Sequence, residues 1–372
     1  MSDHYEVERI DCRAAWDRER TTWDQFARQH LFCRFDWLSR WWECYGEGGE
    51  LFVLRVADAE GPVGYFPWQR RRTLAAGRMI SFLGSGDVCS DYMTLPGRRR
   101  DRRAWVRAAI DWLSQHDEWD VIDLTGAVQG DAAVETFVSS ARDVGWSVSR
   151  RSPMNCWRIA LPDEWDDYLA RLSKSHRKQL RRFVTRQLET GAATLNEPAG
   201  RDEFQAAFDR LVSLHQARWQ AAGEPGAFAN PAFHRFIRES ALAWFEEERC
   251  RIFELVVGDQ VAASEIHFLE GKTSFAYQSG VDPQYRAAHA GALLNTAIIR
   301  RLIAEGWEAL DYLRGDEPYK AHFRATPTPL VAWRIAAPRT PARLRHTAWT
   351  AAHAVKSWVR GSGTTEVLSH DG

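Results

Sequence analysis

The loop Ser279-Gly-Val-Asp-Pro-Gln-Tyr-Arg-Ala-Ala-His-Ala-Gly-Ala-Leu-Leu294 sets Arg286, Ala287, Ala288, His289, Ala290 and Gly291 at the start of an expected helix. Free backbone N–H groups and the positive end of the helix dipole attract an anionic phosphate there, and small side chains let a pyrophosphate reach the backbone. The spacing alone also fits an ordinary helix start. Upstream, Ala262-Ala-Ser-Glu-Ile-His-Phe268 reads as a strand whose alternation gives Glu265 and His267 one face. A carboxylate so placed can take a proton or bind an acceptor; the bland reading puts both side chains on a solvated sheet edge. Asp311, Arg314, Asp316, Glu317 and Lys320 crowd charge around Gly315. They make either a salt-bridged turn or one wall of a cleft in which Arg314 or Lys320 binds a carboxylate. His215, Arg218 and Trp219, spaced i, i+3 and i+4, project from one helix face just before the glycine-bearing loop 222–230. That arrangement suits the wall and lid of an acceptor pocket, or a helix packed by its Trp. Residues 171–186 carry seven Lys/Arg and no acid, which gives either a solvated face or a surface that attracts phosphate.

The elements that must position these groups repeat along the chain. Residues 51–57 and 62–68 read as a hairpin, as do 251–257 and 260–268. Each hairpin is followed by a loop, an amphipathic helix (104–115 and 293–304) and a strand opening on Trp-acid and closing on Gly: Trp119-Asp-Val-Ile-Asp-Leu-Thr-Gly126 and Trp307-Glu-Ala-Leu-Asp-Tyr-Leu-Arg-Gly315. Strands 145–149 and 155–161 are expected to close the first unit. The second then holds helices at 164–189, 200–221 and 231–248, three strands between 250 and 281, helix 289–305, strand 308–314, a short helix at 317–324 and strand 329–336. The fold class is therefore α/β (α+β), with units at 1–160 and 161–338 and a helix plus disordered tail at 339–372.

Composition bounds the rest. The 372 residues carry 49 Lys+Arg against 50 Asp+Glu, a net charge of -1, which excludes a uniformly basic nucleic-acid coat. Of the cations 44 are Arg and 5 are Lys, and there are 18 Trp. The Arg excess fits a coding bias, although Arg grips oxyanions in a two-pronged way that Lys cannot. The N-terminus lacks a signal-peptide pattern, no apolar run reaches transmembrane length, and six scattered Cys without CxxC spacing favour reduced thiols over zinc or disulfides. The expectation is a cytoplasmic protein without a metal.

Taken together, Leu172-Ser-Lys-Ser-His-Arg-Lys-Gln-Leu-Arg-Arg182, Leu214-His-Gln-Ala-Arg-Trp219, Ser279-Gly-Val-Asp-Pro-Gln-Tyr285 and Asp311-Tyr-Leu-Arg-Gly-Asp-Glu-Pro-Tyr-Lys320 resemble the GNAT superfamily of acyl-CoA transferases, in its CelD/BcsL-type (BioF2-like) branch. The layout is similar to the FemAB-like transferases with two tandem GNAT units. The resemblance covers roughly 165–325 and implies two tandem GNAT-like units, each a mixed, mostly antiparallel sheet flanked by helices. Arg286, His289 and Gly291 fall on the family's Arg/Gln-x-x-Gly-x-Gly/Ala pyrophosphate loop, with His289 replacing its first glycine. It further implies acetyl-CoA or another acyl-CoA as cosubstrate, Glu265 as base and Tyr319 as the acid for the leaving thiolate. The amine acceptor would be a small molecule, saccharide or peptide held by His215, Arg218, Trp219, His267, Tyr277, Asp311, Arg314 and Lys320. No DNA partner is expected. Two alternatives stand beside this: an aminoacyl-tRNA donor in the FemAB manner, and a non-catalytic GNAT-fold scaffold in a polysaccharide or envelope pathway. The Arg-rich stretch 98–103 lacks small residues, so the first unit reads as a structural or acceptor-shaping copy.

Overall fold

A computed structural model of the chain describes residues 4–151 and 154–362. The first half contributes β1 (Glu6–Ile10), β2 (Glu50–Leu51), β3 (Val53–Asp58), β4 (Gly61–Phe66), β5 (Trp68–Thr73), β6 (Gly77–Phe82), β7 (Val121–Val128) and β8 (Ser147–Arg151). The second contributes β9 (Asn155–Ala160), β10 (Ala193–Asn196), β11 (Cys250–Val257), β12 (Gln260–Glu270), β13 (Thr273–Val281), β14 (Ala309–Arg314) and β15 (Thr326–Ala336). Strands β1, β3 and β4 form a small sheet, and most of the others join one large sheet in the order β10-β11-β12-β13-β14-β9-β15-β7-β6-β5-β2, with β8 also on β15.

The expected repeat is present as a matched pair of parallel ladders. A crossover helix, Arg102–Gln115 or Ala290–Ala304, returns the chain so that β6 lies parallel to β7 and β13 parallel to β14. Each ladder has three rungs, ending at Ser81↔Asp123 in one unit and Phe275↔Asp311 in the other. Beyond the last rung the strands diverge. In the first unit the predicted strand 62–68 is broken at Pro67, which has no N–H to give a ladder, so β4 stays in the small sheet and β5 enters the large one.

Two strands depart from the sequence reading because their partners are distant in the chain. Residues 155–161 do not close the first unit: β9 pairs antiparallel with β14, Leu310↔Ile159 and Asp311↔Arg158. In return β15 pairs through Thr326–Pro329 with β9 and then, from Leu330 to Ala336, runs antiparallel to β7 and β8 of the first unit. The two sheets are thereby fused by exchanged strands.

The expected helix 164–189 is also interrupted. Trp165–Arg171 ends where Leu172 turns extended (ψ 156), and the Ser173 side chain caps a new helix, Lys174–Phe183, by accepting from His176 N–H. A wide turn, Val184–Leu188, carries that helix on. The last helix runs Thr340–Ser362; the predicted tail 363–372 lies outside the described residues.

One hydrophobic core runs through the first unit and onto the second sheet by way of Ile252, Ile266 and Phe268; another, with Leu180, Phe253, Leu293 and Tyr312, fills the opposite face of the second sheet. Much of the Trp content is core. Trp16, Trp23, Trp37, Trp68, Trp105, Trp119 and Trp244 are fully buried, and several satisfy their indole N–H internally, as Trp37 does on Ser90 Oγ at 3.0 Å.

Candidate active site

Where β13 and β14 part beyond Phe275 and Asp311, a cavity of about 250 Å³ opens between Ala276, Tyr277, Gln278 and Ser279 on one side and Tyr312 and Arg314 on the other. A bulge in the β12/β13 pairing at Ile266/His267 sharpens that bend. Glu265 from β12, His215, Arg218 and Trp219 from helix Arg201–Ala221, and Glu317, Tyr319 and Lys320 complete the lining. Eight of the ten residues predicted for catalysis or acceptor binding thus converge on one cavity. Sequence reading does not single out Ala276, Gln278, Ser279 or Tyr312, and it names Glu317 only as part of the charge cluster around Gly315. Alternation along β14, which gives Tyr312 and Arg314 one face, is the signal that points to Tyr312.

Glu265 is only 6% exposed, on a central strand rather than a solvated edge. Its carboxylate is close enough to Tyr312 and Tyr319 to act on both. Burial first, and then the neighbouring Tyr168, Tyr319 and Glu265, push the Tyr312 phenol well above the ordinary tyrosine range, and its buried hydroxyl has no partner among the described residues. Tyr319 meets the Tyr312 ring edge-on at 5.7 Å. The surrounding protein and Glu265 raise its phenol too, though with 43% of the residue exposed water screens part of that shift. Both phenols therefore keep their protons at neutral pH and can donate hydrogen bonds.

The wall from helix Arg201–Ala221 is set by Gly280: a Cβ there would lie 2.5 Å from the His215 backbone nitrogen and 2.6 Å from Leu214 Cβ. His215 is buried, and burial lowers its pKa, so the ring is neutral. Its Nε2 accepts the Trp219 indole N–H at 3.0 Å, which leaves the proton on Nδ1 for Gln216 Oε1 at 3.1 Å. Arg218 lies beside the Trp219 ring, 5.9 Å from its centroid, and has no acidic partner among the described residues. Loop 222–230 is tied to the helix by Gln216 Nε2 donating to Pro225 O at 2.8 Å.

Five predicted acceptor ligands have other duties. Asp311 points to the opposite face, where it accepts from Tyr92 of the first unit at 2.5 Å and lines a separate cavity; burial raises its pKa to about 6. His267 is fully enclosed, with Nδ1 against Ser274 Oγ at 2.7 Å and Nε2 3.4 Å from Glu265, so it backs that carboxylate without reaching the cavity. Lys320 is clamped: its ammonium donates to the carbonyls of Tyr312, Leu313, Arg314 and Gly315 and pairs with Glu317 at 2.9 Å. Arg314 lines the cavity, but its guanidinium is engaged by Asp91 and by Ser90 O; burial would lower its pKa, and Asp91 outweighs that, so it stays charged. Of the predicted cations, Arg218 alone faces the cavity unpaired among the described residues. Tyr277 uses its hydroxyl on Val88 O at 2.5 Å and offers the cavity only its ring.

The predicted phosphate loop leads out of β13. Pro283–Tyr285 forms a single 3-10 turn, and helix Ala290–Ala304 begins directly after His289. His289 holds φ 56 and ψ 35, the left-handed conformation that a glycine supplies without strain and that His tolerates better than most residues. Arg286, Ala287, Ala288 and His289 are exposed, and a Cβ on Gly291 would touch only Val281, at 3.4 Å. An open helix N-terminus, small flanking residues and one cation without an acidic partner among the described residues fit a pyrophosphate.

Among the described residues, large side chains occupy the corresponding face of the first unit. Trp68, Phe82 and Leu124, all fully buried, occupy the ladder positions of His267, Ala276 and Tyr312 and fill the space. Its Arg98 is spent on Asp58 and Asp101. By contrast Lys174, Lys178, Arg181, Arg182 and Arg186 on the second unit's basic helix are exposed, with no ion pair among the described residues. No group of three or more His, Cys, Asp or Glu among the described residues is placed to hold a metal, and none of their helices is long and apolar enough to cross a membrane.

Comparison with known proteins bears on the fold. Residues 174–321 match the family described as "Acetyltransferase (GNAT) domain". Among solved structures, FemX is similar over 90% of this chain and 98% of its own, with a TM-score of 0.61 at 9% identity. A conserved protein of unknown function from Bacteroides thetaiotaomicron matches over 89% and 100%, TM-score 0.54 at 14% identity. The C-terminal domain of a putative lysylphosphatidylglycerol synthetase from Agrobacterium fabrum matches over 90% and 96%, TM-score 0.52 at 11% identity. At such identities the likeness is one of fold. No curated protein matches the chain significantly. The chain is built of two tandem GNAT-like units, each a mixed, mostly antiparallel sheet flanked by helices, and its second unit carries a GNAT acetyltransferase domain.

Proposed function

We propose that the second unit transfers an acyl group, acetyl in the simplest case, from acyl-CoA to an amine within one ternary complex, as a member of the CelD/BcsL-type branch. The observation that supports this best is the meeting of Glu265, Tyr312 and Tyr319 in the opening between diverging parallel strands whose far end leads into the small-residue helix start at 286–291. Arg286 and the N–H groups ahead of helix Ala290–Ala304 would hold the pyrophosphate. The acceptor amine enters beside Arg218 and Trp219. Glu265 takes a proton from the amine as its lone pair forms the bond to the thioester carbonyl carbon, and the carbonyl electrons move onto oxygen. As the carbonyl re-forms the C–S bond breaks, and Tyr319 passes its proton to the departing thiolate while it receives the proton that Glu265 took from the amine, so both residues end as they began. Tyr312, whose hydroxyl is buried and unpartnered among the described residues, would donate to the oxyanion. Arg218 suits a carboxylate on the saccharide or peptide acceptor.

Calorimetric titration with acetyl-CoA tests the donor. Saturable binding that weakens in Arg286→Gln supports the reading, and no heat at millimolar ligand would sink it. A second donor, aminoacyl-tRNA, is favoured by the five exposed cations at 174–186 without acidic partners among the described residues. It is chosen over acyl-CoA if tRNA binds, with a steep salt dependence, while CoA does not.

A further inference from the structure

Behind Glu265 a line of polar side chains runs from the reactive cavity into the core. His267, two residues further along β12, shares its face, and Ser274 is the diagonal neighbour of His267 across the β12/β13 ladder, where His267 lies opposite Ala276. The His267 ring stands with Nε2 3.4 Å from Glu265 Oε1 and Nδ1 2.7 Å from Ser274 Oγ. The Phe253 ring, edge-on at 4.9 Å, packs against it. His267 and Ser274 are completely enclosed, and Glu265 is the member of the line that reaches the cavity.

The fold itself does not ask for this line. Reckoned from the rungs Trp68↔Phe82 and His267↔Ala276, the first unit holds Phe66, Trp68 and Ile80 where the second holds Glu265, His267 and Ser274, and all three are fully buried. A carboxylate, an imidazole and a hydroxyl buried instead cost free energy unless each finds a partner. His267 Nε2 has no hydrogen bond among the described residues, and the carboxylate beside it is an acceptor that a small rotation brings within reach. A neutral imidazole has one N–H to place. With the proton on Nδ1, the ring would donate to Ser274 and turn the Nε2 lone pair on the carboxylate, a repulsion that enclosure strengthens. With the Ser274 hydroxyl donating to Nδ1, the proton sits on Nε2 and faces the carboxylate, so each donor has an acceptor.

We propose that His267 is the positioning residue of Glu265: Ser274 holds the ring in its Nε2–H form, and that N–H engages one carboxylate oxygen and leaves the other for the proton of the incoming amine. The catalytic meaning of this rests on the reading of Glu265 as the base. His267 neither touches the substrate nor takes the proton. It acts from the core side, while Tyr312 and Tyr319 act on the same carboxylate from the cavity. A base that a third group orients is held in the direction its proton must come from, which a freely turning carboxylate is not.

The test reads the chain itself, with neither donor nor acceptor, so it can fail while acyl transfer stands and can succeed where no transfer is found. The full chain is labelled with 15N in its 12 His and with 13C in its Glu carboxyls, and NMR resonances of His267 and Glu265 are assigned by their loss in His267→Gln and Glu265→Gln. At pH 7 the His267 ring should carry its proton on Nε2, with Nδ1 bare and hydrogen-bonded. Ser274→Ala should shift the Nδ1 resonance to that of a nitrogen without a donor. Glu265→Gln should move the Nε2–H proton upfield, because a charged acceptor gives way to a neutral one. The Glu265 carboxyl resonance should shift in His267→Phe and return toward the parent value in His267→Gln, whose amide restores a donor. Circular dichroism identifies a variant that fails to fold, and Ser274→Ala and Glu265→Gln, which change least in volume, then carry the test. A proton on Nδ1 in the parent, an Nε2–H resonance unmoved in Glu265→Gln, or a Glu265 carboxyl resonance unmoved in a folded His267→Phe overturns the proposal.

Discussion

Arg314 and Asp91 join the two units through an Nε–Oδ1 contact of 2.5 Å, and the Arg314 backbone N–H donates to the other carboxylate oxygen at 3.0 Å. One wall of the reactive cavity is thus fastened by a residue 223 positions away, in the other unit. Asp91 is fully buried and Arg314 mostly so. Removing one partner strands a charge, and Asp91→Ala should cost about 3–5 kcal/mol in urea unfolding. Asp91→Ala with Arg314→Met should recover much of that loss. A single variant within about 1 kcal/mol of the parent would show that the pair does not fasten the wall.

Asp311 sets a pH dependence whose sign follows from burial. Its folded pKa, about 6, stands above the ordinary aspartate value, so the folded state binds the proton more tightly than the unfolded chain does. The stabilising contribution is complete below pH ~4 and is lost as pH rises through about 6. The change amounts to at most about 3 kcal/mol, a net figure in which the Tyr92 hydroxyl donated to the ionised form already opposes the effect of burial. Unfolding free energies measured between pH 4 and 7 should show this decline against the background, and Asp311→Asn should remove it. An identical pH profile in the variant refutes the assignment.

Gly280 lets helix Arg201–Ala221 approach β13, because a Cβ at 280 would run into backbone that cannot rotate away. Gly280→Ala should therefore push the helix outward, destabilise the fold by about 1–3 kcal/mol and carry His215, Arg218 and Trp219 with it. Thermal unfolding reads the first effect, and the emission difference between chains with and without Trp219→Phe, which isolates Trp219 among the 18 Trp, reads the second. Unchanged stability together with an unchanged emission spectrum would mean that the helix does not rest on this strand position.

Much of the reactive cavity was legible because its information is local. Alternation paired Glu265 with His267 on one face, helical spacing aligned His215, Arg218 and Trp219, and the repeat of Trp119 to Gly126 in Trp307 to Gly315 placed both parallel ladders. What stayed hidden depends on distant partners. Nothing near Asp311 announces Tyr92, nothing near Arg314 announces Asp91, and the charge of Lys320 does not reveal that four carbonyls have claimed it. The exchange of β9 and β15 is likewise a non-local pairing that strand periodicity cannot specify. The break at Pro67 was readable in principle, since proline cannot donate within a ladder.

The roles of the two phenols separate by exposure. Tyr319 is 43% exposed at the cavity mouth and Tyr312 is buried with its hydroxyl unpartnered. If Glu265 is the base, Glu265→Gln should lower kcat by about 10²–10⁴-fold with little change in the KM for acyl-CoA and no loss of stability. If Tyr319 is the acid for the thiolate, Tyr319→Phe should lower kcat for acetyl-CoA far more than for a donor whose leaving thiol is more acidic. Tyr312→Phe should instead slow both donors alike, because an oxyanion forms whichever thiol departs. It should also leave stability nearly unchanged, since the hydroxyl it removes has no partner to lose. Steady-state rates with the two donors decide the assignment: equal losses in Tyr319→Phe and a donor-dependent loss in Tyr312→Phe would exchange the roles, and full activity in Glu265→Gln would remove the base.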